Sequence, residues 1–107
     1  MIEESLRAFL DHLAVEKGAS PHTVAAYRND LTQLTEHVAS AHVDGRRVSD
    51  WAQIDRTLLG NYVAGLYQRG YSSTTVARKI ASIKSFFGYL TEDGQISDDP
   101  TEHLASP

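Results

Sequence analysis

Apolar residues recur every three or four positions in four stretches of the chain, with polar residues between them. The first stretch carries its apolar side chains at Ile2, Leu6, Phe9, Leu10 and Leu13. The second carries them at Val24, Tyr27, Leu31, Leu34 and Val38. This spacing places each set on one face of an α-helix. The pattern therefore predicts a first helix over residues 2–17 and a second that begins at Pro21 and fades near Ser40.

The second half of the chain repeats this pattern and predicts two more helices. The third has its apolar positions at Leu58, Leu59, Tyr62, Val63 and Leu66. The fourth, over residues 73–90, has them at Val76, Ile80, Ile83, Phe87 and Leu90. Asp55 is the expected cap of the third helix, and Gly70 follows its end.

Residues 41–54 show no clean period and contain the turn signal Asp44-Gly45, so we expect one long loop there. Trp51 and Ile54 are expected to anchor this loop in the core. No stretch alternates with the period of two that indicates a β-strand. The sequence therefore predicts an all-α fold, a four-helix bundle made of two helical hairpins.

A short helical turn is predicted after the bundle, from Pro100 through Leu104. The length of 107 residues fits one domain with a single modest core. We assign residues 1–99 to this domain, and residues 100–107 to the turn and to the start of a linker that ends at Pro107.

One phrase occurs twice, each time at the start of a predicted helix. Both copies read Gly-x-Ser-x-x-Thr-Val: Gly18-Ala19-Ser20-Pro21-His22-Thr23-Val24 and Gly70-Tyr71-Ser72-Ser73-Thr74-Thr75-Val76. The glycine suits the left-handed conformation that ends a helix, and the serine suits the cap of the next one. Because the N–H groups of a first helical turn attract anions, each start is a candidate phosphate contact.

The charge balance qualifies this idea, because the net charge is −4 and affinity for phosphate comes largely from cations. The charges are unevenly distributed, however. No Asp or Glu lies between Arg56 and Thr91, whereas that stretch holds five basic residues, Arg56, Arg69, Arg78, Lys79 and Lys84. This distribution favours a basic face, and chance clustering on a solvated surface is the alternative.

The fourth helix has an unusual polar side. Thr75, Arg78, Lys79, Ser82 and Ser85 fall opposite its apolar face, and none of them is acidic. A nucleic acid is therefore the predicted partner. The predicted nucleic-acid-binding residues are Ser20, Thr23, Arg28, Ser72, Thr75, Arg78, Lys79 and Ser82.

Other kinds of site find no support in the sequence. The chain has no cysteine, which excludes disulfides and thiolate metal sites. Its five histidines are dispersed, and no nucleophile elbow or phosphate-binding loop occurs. We therefore predict no catalytic residues, metal, cofactor or small-molecule ligand. With no membrane-spanning run and no basic leader, a cytoplasmic location is the default expectation.

Two long segments resemble the Xer-type tyrosine recombinases. They run from Glu16 to Leu31, around Ser20-Pro21-His22-Thr23-Val24, and from Gly70 to Leu90, around Thr75-Val76-Ala77-Arg78-Lys79. The ending, from Asp99-Pro100 to Pro107, is similar to the interdomain linker of that family, with Asp in place of the usual Asn.

This resemblance implies a SAM-like core-binding domain whose second and fourth helices meet duplex DNA. It also implies other recombinase subunits as partners, in a tetramer on DNA. The catalytic Arg, Lys, His and Tyr of the family lie in a carboxy-terminal domain that this chain lacks, so the fragment is not expected to be an enzyme. The parent would resolve chromosome dimers through a phosphotyrosine link.

Two other interpretations remain open. A phage-type integrase shares the same domain, and this segment hardly separates it from the Xer type. A helical protein-interaction module would also suit the acidic balance, since a fold alone does not fix a function. Such a module should expose apolar anchors on the outer face of the fourth helix, where this sequence has Thr, Arg, Lys and Ser.

Overall fold

The computed structural model describes residues 2–105, and four α-helices dominate that part of the chain. Helix α1 spans Ile2–Asp11, α2 Pro21–Ala39, α3 Arg56–Gln68 and α4 Ser73–Glu92. The all-α prediction is therefore confirmed. The predicted linker end at Pro107 lies outside the described residues.

The first helix departs from the prediction in its last turn. Instead of continuing to residue 17 as an α-helix, the chain forms a π-helix over His12–Glu16. The Lys17 N–H then donates to the His12 carbonyl at 3.1 Å. A π-turn accommodates one extra residue within a helix, and the apolar period alone does not reveal it.

The segment predicted as a loop contains two short pieces of regular structure. Strands β1 (His42–Val43) and β2 (Arg46–Arg47) pair antiparallel, with Val43 opposite Arg46. Asp44 and Gly45 form the turn with φ of 53° and 75°. The Asp-Gly turn signal was informative, but a two-residue strand is too short to show alternation. A 3₁₀ turn over Trp51–Gln53 follows.

Trp51 anchors this segment as predicted. Its indole N–H donates to the Ile2 carbonyl at 2.9 Å, and its ring meets the Phe86 ring edge-on at a centroid distance of 4.8 Å. The Phe9 ring also packs against the Phe86 ring, at a centroid distance of 5.4 Å. The predicted apolar face of α4 omitted Phe86, although this side chain is fully buried at the centre of the core.

Helix α4 lies at the centre of the bundle and packs against α1, α2 and α3. The two hairpins therefore share one core. Of the residues expected to form this core, Tyr27 is half-buried. The others are buried: Phe9, Leu31, Leu66, Ile80 and Phe87.

After α4 the chain makes the predicted short turn. The Asp99 carboxylate accepts hydrogen bonds from the Thr101 N–H at 2.8 Å and the Thr101 hydroxyl at 2.6 Å. The Leu104 N–H then donates to the Thr101 carbonyl at 2.9 Å. Within residues 2–105, no helix is long and apolar enough to cross a membrane.

Candidate nucleic-acid interface

The two copies of the repeated phrase fold into the same helix start. Ser20 caps α2 by accepting a hydrogen bond from the Thr23 N–H at 3.2 Å, and Ser72 caps α4 by accepting one from the Thr75 N–H, also at 3.2 Å. Each serine hydroxyl donates in turn to its threonine hydroxyl at 3.1 Å. The threonine oxygen is thus an acceptor inside the cap, and its own proton can be donated to an outside group.

A groove runs between α2 and the first turns of α4. Its polar lining includes one carboxylate and comes from both helices: Arg28, Asn29, Thr32 and Glu36 from α2, and Thr75 and Arg78 from α4. Two arginines and several hydroxyl and amide groups thus converge on one concave surface. Thr75 belongs to the first turn of α4, and the positive end of a helix dipole favours a negatively charged ligand.

Beneath this groove lies a buried carboxylate. Asp30 is only 2% exposed, yet three donors satisfy it. Arg78 Nη1 donates to Oδ2 at 2.7 Å, Lys79 Nζ to Oδ1 at 3.1 Å and the Ser82 hydroxyl to Oδ2 at 2.8 Å. All three donors come from α4, so this Asp30 cluster ties α2 to α4.

Two of the predicted DNA-binding residues therefore do not lie on an outer surface. Lys79 is 3% exposed and Ser82 is 5% exposed, so the expectation that they project outward is wrong. The reason is that α2 packs over this side of α4. Burying an ionised lysine is tolerated only when its charge is paired, and here the carboxylate of Asp30 pairs it.

The position of Asp30 carried a signal for this arrangement. It falls between Tyr27 and Leu34 on the predicted apolar face of α2, directly before Leu31. An aspartate on such a face is rarely buried without a cationic or hydrogen-bonding partner. The sequence thus indicated a buried partner for Asp30 but did not identify which cation it was.

Lys79 uses the rest of its hydrogen-bonding capacity inside the protein. Its ammonium group donates to the Gln33 Oε1 at 2.7 Å and lies 5.2 Å from the centre of the Tyr71 ring. Gln33 Nε2 donates onward to the Tyr71 hydroxyl at 3.1 Å. Lys79 and Asp30 thus neutralise each other, and the charge the cluster presents to the groove is that of Arg78. The Arg78 side chain is 47% exposed.

The other predicted residues lie at or near the surface. Ser20, Thr23, Arg28 and Ser72 are exposed, and Thr75 is half-buried. The two caps are far apart along the pair, because α2 and α4 run antiparallel: Tyr27 meets Ser85, whereas Gln33 meets Lys79. The groove therefore brings Arg28, Thr75 and Arg78 together, and the start of α2 lies beyond them.

Acidic residues gather on a different surface, where α1 meets the end of α4. Asp11, Glu16, Glu92 and Asp93 line a depression there, and His12 bonds to Glu16 beside Tyr89. Among residues 2–105, no group of three or more His, Asp or Glu residues could hold a metal ion. The protein is thus polarised, and its net negative charge does not describe the α2–α4 groove.

Two tyrosines have a pKa that disfavours a nucleophilic role. Burial raises the pKa of Tyr62 to about 12, and burial also raises the pKa of Tyr89. Both shifts disfavour the phenolate, which is the reactive form of the side chain.

Comparison with known proteins identifies the relatives of this chain. Residues 6–94 match the family described as phage integrase, N-terminal SAM-like domain. The chain is 42% identical over 99% of its length to tyrosine recombinase XerC from Roseiflexus castenholzii, of which it covers 32%. It is 34% identical to tyrosine recombinase XerC from Pseudomonas syringae pv. tomato, again over 99% of its own length and 34% of the relative. No solved structure matches. The chain spans about a third of the length of these relatives.

Proposed function

This chain belongs to the family of phage integrase N-terminal SAM-like domains, and from that premise we propose that it is the DNA-binding domain of a XerC-like site-specific tyrosine recombinase. The observation that carries the proposal is the α2–α4 groove, where Arg28 and Arg78 face outward beside the capped start of α4. This surface is concave and hydroxyl-rich, and its two outward-facing arginines outnumber the one carboxylate that lines it, Glu36, as a surface that binds phosphates and base edges requires.

Each predicted residue has a role in this proposal. Arg28 and Arg78 contact DNA from the groove, while Ser20 with Thr23 and Ser72 with Thr75 bind phosphates at the two helix starts. Lys79 and Ser82 are buried, so they act from within by holding the carboxylate of Asp30. Phosphate contacts fix the register of a protein on DNA, and an arginine that reaches guanine also specifies sequence.

The chemistry of strand exchange is proposed for the parent protein and not for this chain. The relatives named tyrosine recombinase XerC are about three times as long as this chain, and the catalytic residues are expected in the part that it does not cover. In the parent we propose a tetramer on DNA that resolves chromosome dimers in the cytoplasm. A phage-type integrase would use this domain in the same way.

The polar character of the groove favours DNA over a protein partner. The large hydrophobic side chains exposed among residues 2–105 are Val15 and Tyr67, and neither lines the α2–α4 groove. A surface that docks a protein usually centres on buried aromatic or apolar anchors.

A paired substitution tests this proposal. We expect the protein to bind a duplex of mixed sequence at low salt, with affinity that falls steeply as salt rises, because bound counterions are released. Replacing Arg28 and Arg78 by Ala should weaken binding and lower the slope of log affinity against log salt by about one for each of the two side chains that contacts a phosphate. Fluorescence anisotropy with a labelled duplex measures both quantities.

Arg46 and Arg47 provide the matched control. They are equally basic and exposed, but they lie on β2, away from the groove. The Arg46→Ala, Arg47→Ala protein has the same net charge as the groove variant and should keep the wild-type slope. Equal losses in the two variants would attribute the affinity to bulk charge, and no binding by the wild type would reject the DNA-binding function itself.

A further inference from the structure

We propose that Asp30 is a positioning residue that orients Arg78 for the recognition of a base edge. The inference rests on the proposed function and adds a division of labour within the groove. Arg78 reads sequence because a buried carboxylate fixes its guanidinium, whereas Arg28 is a mobile contact for the phosphate backbone.

The first support is the rigidity of the carboxylate. Asp30 is almost fully buried, and the Lys79 ammonium and the Ser82 hydroxyl hold its two oxygens from α4. The carboxylate cannot swing out toward solvent without leaving Lys79 buried and unpaired. Arg78 therefore bonds to a fixed acceptor, at 2.7 Å.

The second support is the part of Arg78 that remains available. Asp30 engages only Nη1, which leaves the edge formed by Nε and Nη2 as a two-donor fork. Such a fork matches the O6 and N7 acceptors of guanine in the major groove. A guanidinium that is already oriented loses less conformational freedom when it binds.

Arg28 lines the same groove without this support. Within residues 2–105 it takes part in no ion pair, and its side chain is exposed. The two arginines thus offer an internal comparison between an oriented guanidinium and a mobile one.

The substitution Asp30→Asn separates positioning from charge because the two effects have opposite signs. Removal of a negative charge beneath the groove should strengthen binding to any duplex through bulk electrostatics. The substituted amide keeps one acceptor oxygen, which the buried Lys79 ammonium needs, and its NH2 group, a donor, then faces Arg78. Arg78 should therefore be released and lose its preference for one base. We therefore expect Asp30→Asn to bind pooled duplexes at least as tightly as the wild type while it loses sequence discrimination.

The experiment selects bound duplexes from a library with a randomised central segment and sequences them. The wild type should prefer guanine at one position by about tenfold, the discrimination expected of one good arginine–guanine pair. Asp30→Asn, Arg78→Ala and Arg78→Lys should each reduce this preference to less than about twofold, and the lysine variant should keep its affinity for the pool. The double variant with Asp30→Asn and Arg78→Ala should show no smaller preference for guanine than Arg78→Ala alone.

Asp44→Asn is the matched control, since it makes the same change in an exposed turn where φ is 53° and asparagine is tolerated. It should retain the wild-type preference. A preference that survives Asp30→Asn overturns the inference, and so does a wild type that binds the pool without any preference. The second result leaves the DNA-binding function intact, whereas a wild type that binds no duplex rejects that function instead.

A measurement on the wild type alone covers the case in which Asp30→Asn does not fold. NMR relaxation of the arginine Nε–H groups reports the mobility of each side chain without DNA. Arg78 should be as rigid as the backbone, and Arg28 and Arg46 should be mobile. If Arg78 is as mobile as Arg28, the positioning role is wrong.

Discussion

In both helical hairpins the second helix begins with the same sequence pattern, Gly-x-Ser-x-x-Thr-Val, and the two helices differ after it. Ser20 and Ser72 adopt nearly identical cap conformations, with φ and ψ of −66° and 157° in one and −69° and 158° in the other. Local sequence alone therefore specifies the start of α2 and of α4, although α4 is central in the core and α2 is peripheral. What each helix does after its first turn depends on residues that the repeat does not share.

The turns that lead into these starts differ by one residue. In the second hairpin the Tyr71 N–H reaches back to the Leu66 carbonyl at 3.2 Å, whereas in the first the Ala19 N–H reaches back to the Leu13 carbonyl at 3.0 Å. The first closure spans one residue more, and the π-helix over His12–Glu16 contains that residue. The first hairpin thus contains one more residue than the second at this point, and the turn and the cap that follow are the same in both.

Helices α2 and α4 meet as approximate equivalents of each other. Asp30 bonds to Ser82, the residue 52 positions later, and the two capping serines have the same separation in sequence. The two flanking contacts, Tyr27 with Ser85 and Gln33 with Lys79, also correspond to each other. Lys79 lies 52 positions after Tyr27, and Ser85 lies 52 positions after Gln33. The cluster that supports the proposed DNA contact therefore lies where the two helices have different residues. Asp30 of α2 corresponds to Ser82 of α4, and Tyr27 of α2 corresponds to Lys79 of α4.

The largest expected effect tests how far the equivalence of the two helices extends. Ile80 and Arg28 occupy equivalent positions, yet Ile80 is fully buried and Arg28 is exposed. Ile80→Ala should lower the free energy of unfolding by about 2–5 kcal/mol, because it leaves a cavity in the core. Arg28→Ala should change it by less than about 0.5 kcal/mol. Urea unfolding followed by circular dichroism measures both, and similar losses would mean that α2 and α4 are buried alike.

Next in size is the cost of replacing the turn glycines. Gly18 and Gly70 have φ of 63° and 89°, and an added Cβ would meet no atom within 4 Å at either site. Gly18→Ala and Gly70→Ala should therefore each cost about 1–2 kcal/mol for backbone conformation alone. The cost should be larger at Gly70, where φ lies farther from the left-handed minimum.

Gly60 provides a control of opposite sign for this pair. It is exposed within α3, has ordinary helical geometry and also has open space around it. Gly60→Ala should raise the free energy of unfolding by about 0.5–1 kcal/mol, because alanine favours the helix. If all three substitutions destabilise the protein equally, crowding rather than backbone conformation sets their cost.

The sequence was sufficient for features that arise from local chemistry and from simple periodicity. Both serine caps, both turn glycines and the apolar faces of four helices could be predicted from it, and so could the Trp51 anchor. The cation that pairs with Asp30 could not be, because that depends on the side of α4 that α2 covers. Lys79 and Ser82 look solvent-facing when α4 is considered alone, and only the packing of α2 shows that they are buried.

The smallest expected effect comes from placing a proline at the first position of α4, where the second copy of the phrase has Ser73 and the first copy has Pro21. Pro21 is the first residue of α2, and Ser73 is the equivalent first residue of α4. Proline is favoured there because its fixed φ suits the helix and the N–H it lacks has no partner within the helix. The preceding residue must be extended, and Ser72 already has a ψ of 158°, as Ser20 has 157° before Pro21. Ser73→Pro should therefore stabilise the protein by about 0.4–1 kcal/mol, chiefly by restricting the unfolded chain, and Pro21→Ser should destabilise it by a similar amount. Thermal unfolding of the two variants and the wild type measures both changes. A loss of stability in Ser73→Pro would show that the two helix starts are equivalent in their caps but not in the backbone that follows.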